Sequence, residues 1–111
     1  MLVKLKAEDY FERISDGHAN PTARPSDPST DRELRKMVEI ANQNGDCIIN
    51  SGNGYYRPVP GDGVDTVELN LYLAKELKRA RAIQLKRLSM KEAFKGWEER
   101  AIFIEDKREV E

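Results

Sequence analysis

The chain of 111 residues contains few of the residues that build disulfides, metal centres or nucleophilic sites. Cys47 is the only cysteine, so no internal disulfide can form, which is typical of a protein from a reducing compartment. His18 is the only histidine, and alone it offers neither a metal site nor a catalytic dyad. The P-loop, G-x-S-x-G and H-E-x-x-H motifs are absent. We therefore expect no enzymatic activity, no catalytic residue, no cofactor and no metal site.

An excess of charge of one sign is also missing, because 19 Lys and Arg residues oppose 20 Asp and Glu residues. With a net charge of −1 the field of the whole molecule predicts no partner, and only local clusters carry electrostatic information. No apolar run approaches the roughly 18–20 residues that span a bilayer. The first ten residues carry acids where a signal peptide needs its apolar stretch. We expect a cytoplasmic protein that has no membrane partner.

The residues that are present suit a folded, helix-rich chain, since 39% are hydrophobic and 35% are charged. A short helix is predicted within residues 1–14, where five apolar side chains recur three or four positions apart. These are Val3, Ala7, Tyr10, Phe11 and Ile14. Residues 15–29 contain three prolines and a glycine, which favour a loop or short turns.

A second helix is predicted from about Asp31 to Asn44. Thr30 and Glu33 match the T-x-x-E capping box, in which each side chain satisfies a backbone donor at a helix start. Four apolar residues then form one buried stripe. These are Leu34, Met37, Val38 and Ala41. Gly45 is suited to the positive φ that commonly follows a helix.

A β-hairpin is predicted next, with residues 47–50 paired against residues 55–59. Both segments are rich in strand-forming residues, and Asn53-Gly54 is a strong hairpin turn signal. Cys47 opens the first strand, where we expect it to be a small buried apolar residue.

One long helix, or a helix with a break, is predicted from Asp65 to about Glu105. Nine apolar residues follow alternating steps of four and three, interrupted only by Glu76 and Arg87. We call this row the seam, and its apolar members are Leu69, Leu73, Ala80, Ile83, Met90, Phe94, Trp97, Ala101 and Ile104. A repeat of 3.5 residues sustained over this length favours packing against another helix.

The same helix carries a basic run over residues 75–91, with seven basic residues and one acid. Three interpretations stay open. The run can neutralise phosphates of nucleic acid. It can equally be a solvated helix face, or it can pair with acidic residues of a partner helix.

The second helix and the hairpin together contain candidate DNA contacts. In a winged helix, the N-terminal residues of one helix reach base edges in the major groove, and a hairpin wing lies along the backbone. The candidates on the helix are Thr30, Arg32, Arg35 and Lys36, and those on the wing are Asn53 and Arg57. The alternatives are a solvated helix face with internal ion pairs, and a tight turn beside two packed tyrosines.

The order of these motifs resembles small winged-helix proteins encoded by phages and prophages of Gram-positive bacteria. That family has a helix with R-E-L/V-R, then G-x-x-I, then a G-Y-Y element and a helical tail. The matching residues are Arg32, Glu33, Leu34, Arg35, Gly45, Ile48, Ile49, Gly54, Tyr55 and Tyr56. The resemblance covers roughly residues 14–95 and implies a DNA-binding winged helix in phage replication or transcription regulation.

One interval departs from the family pattern. Related sequences have a helix immediately ahead of the recognition helix, whereas residues 20–29 here contain three prolines. Because that first helix positions the second on DNA, its loss leaves two hypotheses. Either the chain binds double-stranded DNA, or it keeps the scaffold as a non-catalytic protein-interaction module.

The sequence therefore predicts an α+β, winged-helix-like domain over residues 1–63 and a long helix over residues 64–111. The exposed apolar seam predicts a homodimer under either hypothesis, because soluble monomers seldom expose such a patch. A larger phage or host protein is the alternative partner. The predicted interface residues are Leu73, Ile83, Met90, Phe94 and Trp97.

Overall fold

The computed structural model describes residues 4–110 of the chain, with side chains described as far as residue 102. Three helices and one hairpin follow each other along the chain, so the architecture is α+β as predicted. Their bounds are α1 Ala7–Glu12, α2 Pro28–Gln43, β1 Ile49–Asn50, β2 Tyr55–Tyr56 and α3 Gly63–Val110. Val3, and the side chain of Ile104, fall outside the described part of the chain.

The first helix, α1, is shorter than the predicted segment but uses the predicted apolar side chains. Its start is fixed by Asp9, whose carboxylate accepts a 2.8 Å hydrogen bond from the backbone N–H of Lys6. Ala7 and Ile14 are buried in the core. The buried core cluster consists of Ala7, Ile14, Leu34, Val38, Ile48 and Tyr55. This core joins α1, α2 and the hairpin.

The helix α2 begins earlier than predicted, and the prediction of a capping box formed by Thr30 and Glu33 is wrong. The helix begins at Pro28 and Asp27 is its N-cap residue. The Asp27 carboxylate accepts hydrogen bonds from the backbone N–H of Thr30 at 3.0 Å and from its hydroxyl at 2.7 Å. Pro28 fits the first helical position, because it lacks only a donor that would have no partner within the helix.

The rest of α2 follows the predicted pattern. Leu34 and Val38 are buried, and Met37 and Ala41 pack against them. Gly45 follows the helix with φ of +102°, a conformation that glycine adopts without steric cost.

The hairpin is antiparallel and shorter than predicted, with Ile49 opposite Tyr56 and Asn50 opposite Tyr55. Tyr55 also exchanges two 2.8 Å backbone hydrogen bonds with Thr22, so the loop ahead of α2 covers the second edge of β2. Cys47 is exposed, which corrects the expectation that it is buried. It lies before the shortened strand β1, beside Ile48, whose side chain is the one buried in the core.

Two compact units divide the chain within α3, one of residues Met1–Ala74 and one of Lys75–Glu111. Over its described residues, the second unit consists of α3 alone. Every residue from Lys75 to Ile102 is exposed apart from Gly96, which is half-buried. None of the described helices has the combination of length and apolar character required to cross a membrane.

Candidate functional site

The predicted recognition residues on α2 have different surroundings. Thr30 is buried, and its hydroxyl donates to the Asp27 carboxylate that caps the helix. That hydrogen bond lowers the pKa of Asp27, because it favours the charged carboxylate. The Thr30 hydroxyl therefore has a partner at the helix start, inside the protein.

Arg35 belongs to an ion-pair group centred on Asp31. The buried Asp31 carboxylate receives two hydrogen bonds from the Arg24 guanidinium, at 2.9 and 2.6 Å. Arg35 Nε lies 3.3 Å from the same carboxylate. The hydrogen bonds of Arg24 lower the pKa of Asp31 against the opposing effect of burial. This group ties the loop ahead of α2 to the first turn of the helix.

Arg32, Lys36 and Asn53 are the predicted site residues that face solvent without a bound partner. All three are exposed, and none forms an ion pair or side-chain hydrogen bond with the residues that the structure describes. Asn53 lies at the hairpin turn. These side chains can contact an external ligand without breaking an internal bond.

Arg57, predicted on the wing, is bonded into the N-terminal unit. Its guanidinium donates to both carboxylate oxygens of Asp46 at 2.9 Å and to the carbonyl of Ile14 at 2.8 Å. It also lies 5.8 Å from the centre of the Phe11 ring. Hydrogen bonding to Asp46 raises the pKa of Arg57 and lowers that of Asp46. The arrangement connects the ends of α1, α2 and β2.

A cluster that sequence reasoning missed joins His18 to the start of α3. His18 Nδ1 lies 2.6 Å from Oδ1 of Asp65 and 3.7 Å from Oδ1 of Asp62. Asp65 is fully buried, and its other oxygen accepts a 2.8 Å hydrogen bond from the backbone N–H of Val59. Because Asp65 follows His18 by 47 positions, no local pattern indicates their contact.

The charges of this cluster favour the ionised pair. The hydrogen bond to Asp65 raises the pKa of His18 above its ordinary value of 6.5. Burial alone would raise the pKa of Asp65, but the hydrogen bonds from Val59 and His18 outweigh it and the pKa is lowered. The pair therefore fixes the loop around His18 and the segment at Val59 to the first turn of α3.

Among the described residues, the side chains that could hold a metal ion are those of His18, Asp62 and Asp65, since their ligand atoms lie within 4.8 Å of one another. Both carboxylate oxygens of Asp65 already accept hydrogen bonds, from the backbone N–H groups of His18 and Val59. A cation would have to displace the His18 ring from Asp65 to bind there. The geometry thus suits a structural clamp better than an open coordination site.

A second contact near the start of α3 involves Tyr56. The Tyr56 side chain is buried, and its hydroxyl donates to the carboxylate of Glu68. Burial is the main reason that the pKa of Tyr56 is raised. Together with Asp65, this contact positions the first turns of α3 on the hairpin.

The predicted interface residues on α3 are all exposed. Each of the five large side chains presents between 52% and 62% of its surface to solvent. These are Leu73, Ile83, Met90, Phe94 and Trp97. From Ile83 to Trp97, the seam residues thus stand without a covering element within the described part of the second unit.

Two charged residues interrupt the seam, and both make only exposed contacts within the helix. Glu76 lies 3.5 Å from Arg79, one turn away. Arg87 donates a 2.9 Å hydrogen bond to Gln84. Exposed contacts of this kind contribute little to stability and exchange readily for others.

No family model, curated protein or solved structure matches this chain.

Proposed function

We propose that the chain is a non-catalytic association module that uses the seam of α3 to bring two copies of its N-terminal unit together. The observation that supports this proposal is the exposure of the seam. Large apolar side chains that stand exposed along one side of a helix are typical of an interaction surface rather than of a monomer's outer face. Their spacing of 3.5 residues suits another helix as the binding element.

The N-terminal unit has its own core and its own ion-pair groups, whereas residues 75–102 have no covering element in their unit. An isolated helix in water is marginally stable, because most helix stability comes from packing an apolar face. A second seam supplies that packing. Self-association is the simplest way in which the purified chain can obtain it.

The test compares two matched double variants with the wild type by sedimentation equilibrium. Ile83→Lys/Met90→Lys removes two seam residues, and Leu85→Lys/Leu88→Lys removes two similarly exposed apolar residues that lie off the seam. Lysine keeps a high helix propensity in both. We expect the seam variant to be monomeric and the off-seam variant to associate like the wild type. Equal association of all three proteins would contradict the proposal.

Binding of double-stranded DNA is the second candidate function, and the exposed Arg32, Lys36 and Asn53 favour it. These polar side chains lie on the helix and turn that a winged helix would present to DNA. The resemblance to phage winged-helix proteins points the same way. Two N-terminal units brought together by α3 would offer two such surfaces.

Fluorescence anisotropy with random duplex DNA across a salt series tests this candidate. Arg32→Ala/Lys36→Ala is the informative variant, because Arg35→Ala would also remove a contact to Asp31. If both side chains contact phosphates, the variant lowers the salt dependence by about two counterions. Lys95→Ala/Arg100→Ala removes the same charge outside the basic run and should bind like the wild type. Absence of binding at low salt would exclude the candidate.

A further inference from the structure

Glu76 and Arg87, the two charged residues inside the seam, lie at equal distances from one point along α3. Glu76 precedes Arg81 by five positions, and Arg87 follows Ala82 by five positions. A two-fold axis midway between Arg81 and Ala82 therefore places Glu76 of one copy level with Arg87 of the other. When two copies of α3 pair in antiparallel orientation about this axis, each Glu76 lies beside Arg87 of the other copy.

Six of the nine apolar residues of the seam obey the same two-fold relation. Ala80 and Ile83 each lie one position outside the central pair, and Leu73 and Met90 each lie eight positions outside it. An antiparallel pair therefore packs the small Ala80 against Ile83 and the flexible Leu73 and Met90 against each other. Leu69 and Phe94 form the next layer by the same spacing.

On this basis, and resting on the proposed function, we infer that the partner of α3 is a second copy of the chain in antiparallel orientation, with Glu76 of each copy paired to Arg87 of the other. The pairing turns the two interruptions of the seam into two ion pairs that flank the two-fold axis. Charged residues at core positions of paired helices set orientation and register in this way.

The alternatives leave those charges without an opposite partner. In a parallel pair aligned in register, Glu76 meets Glu76 and Arg87 meets Arg87. An antiparallel shift of one heptad places Glu76 against Ala80 or Phe94, and a buried charge without a partner is strongly unfavourable. Basic residues that flank the seam face each other in both the parallel and the antiparallel pair, so they favour neither orientation. Glu76 and Arg87 therefore decide the orientation.

Charge reversal separates the antiparallel pair from the parallel one. Glu76→Arg converts both ion pairs of the antiparallel dimer into like-charge contacts, and we expect association at least about tenfold weaker. Arg87→Glu should have the same effect, and the double variant Glu76→Arg/Arg87→Glu should restore association. In a parallel dimer every one of these proteins has the same number of like-charge contacts, so association would not change.

Two control variants carry the same charge changes on the side of α3 opposite the seam. Glu92→Arg and Lys78→Glu lie at positions that a paired helix directs away from its partner. We expect both to associate like the wild type. A loss in these controls equal to the loss in Glu76→Arg would overturn the assigned pairing, because net charge and not register would then govern association.

Distance measurements between spin labels test the orientation without relying on affinity. In a Cys47→Ser background, the full chain carries one spin label at a time, attached through Ala82→Cys, Ser89→Cys or Gly96→Cys. These three positions are seven residues apart and therefore occupy the same place in the heptad. With a rise of about 1.5 Å per residue, the axial separation of the two labels is about 1.5 Å at Ala82, about 22 Å at Ser89 and about 44 Å at Gly96. A parallel dimer gives nearly the same distance at all three.

Light scattering on the same labelled samples keeps the inference distinct from the proposed function. Dimers with a label distance that increases from Ala82 to Gly96 would support the antiparallel pair. Dimers with constant distances would overturn the orientation and leave association through the seam intact. A chain that stays monomeric would overturn both.

Discussion

At the scale of single residues, the Arg57 guanidinium contacts the Asp46 carboxylate, the Ile14 carbonyl and the Phe11 ring. Only a planar guanidinium can make these contacts together. Arg57→Lys keeps the charge but loses the paired hydrogen bonds, and we expect it to lower the free energy of unfolding by about 1–3 kcal/mol. Arg32→Lys, at an exposed site, should stay within about 0.5 kcal/mol of the wild type. Urea denaturation measures both. Equal stability of the two variants would show that the Arg57 contacts add nothing.

Gly54 is required by the close approach of the Thr22 backbone. A Cβ at this position would lie 2.4 Å from the Thr22 carbonyl oxygen, and φ is +142°. Gly52 also has positive φ, at +98°, but open space surrounds it. We expect Gly54→Ala to destabilise the protein by at least about 1 kcal/mol more than Gly52→Ala, which shares the backbone strain but lacks the clash. Thermal denaturation of the two variants provides the comparison.

His18 gives the protein a defined dependence on pH, because the pKa of its ring is raised in the folded state. A raised pKa adds stability that is complete below the ordinary value of 6.5 and is lost as the pH rises through the folded-state value. We expect the stability difference between wild type and His18→Gln to be largest below pH 6.5 and to shrink in alkali. The lowered pKa of Asp65 adds stability that is complete above its ordinary value of 3.8 and is lost as the pH falls below that value.

The titration of His18 can be followed by NMR without interference, since the chain has no other histidine. A chemical-shift midpoint above 6.5 would agree with the contact to Asp65. A midpoint at or below 6.5 would show that the pair is not formed in solution.

At the scale of elements, α2 and α3 were predictable because their apolar residues repeat with helical spacing. The Asn53-Gly54 turn likewise identified the hairpin. The start of α2 was mistaken because Asp27 and Thr30 are both good N-cap residues, and Pro28 decides between them once the chain is folded. The exposure of Cys47 was missed because strand-forming residue types do not show which of two neighbouring side chains is buried, and here the buried one is Ile48.

The contacts of the candidate site were less predictable than its elements. The bonds of Arg57 to Asp46 and of His18 to Asp65 join segments 11 and 47 positions apart. Residue type alone could not show that Arg57 is bonded internally whereas Arg32 is exposed. Sequence spacing did identify the seam, because all its members lie on one helix.

The helix of the second unit should become more stable as the protein associates. Because residues 75–102 gain packing only from a partner, their amide protons should exchange more slowly as protein concentration rises. The amides of α2, which packs on its own core, should exchange at the same rate throughout. Hydrogen-exchange mass spectrometry at two concentrations makes the comparison. Exchange in residues 75–102 that does not depend on concentration would argue against a second copy as the source of protection.

At the scale of the whole molecule, an N-terminal unit with its own core is followed by an exposed helical segment that carries most of the seam. The net charge of the chain is close to zero, so long-range attraction to a partner contributes little. Association is then expected to depend on the seam and on the pairing of Glu76 with Arg87. Arg32 and Lys36, both exposed, are the contacts that we propose for DNA.

The most direct test is the mass of the wild-type chain in solution, measured by light scattering over a dilution series that starts at about 100 μM. We predict the mass of two chains at high concentration and a decline toward one chain on dilution. The mass of one chain at every concentration, with circular dichroism showing that the helices are formed, would contradict self-association through the seam.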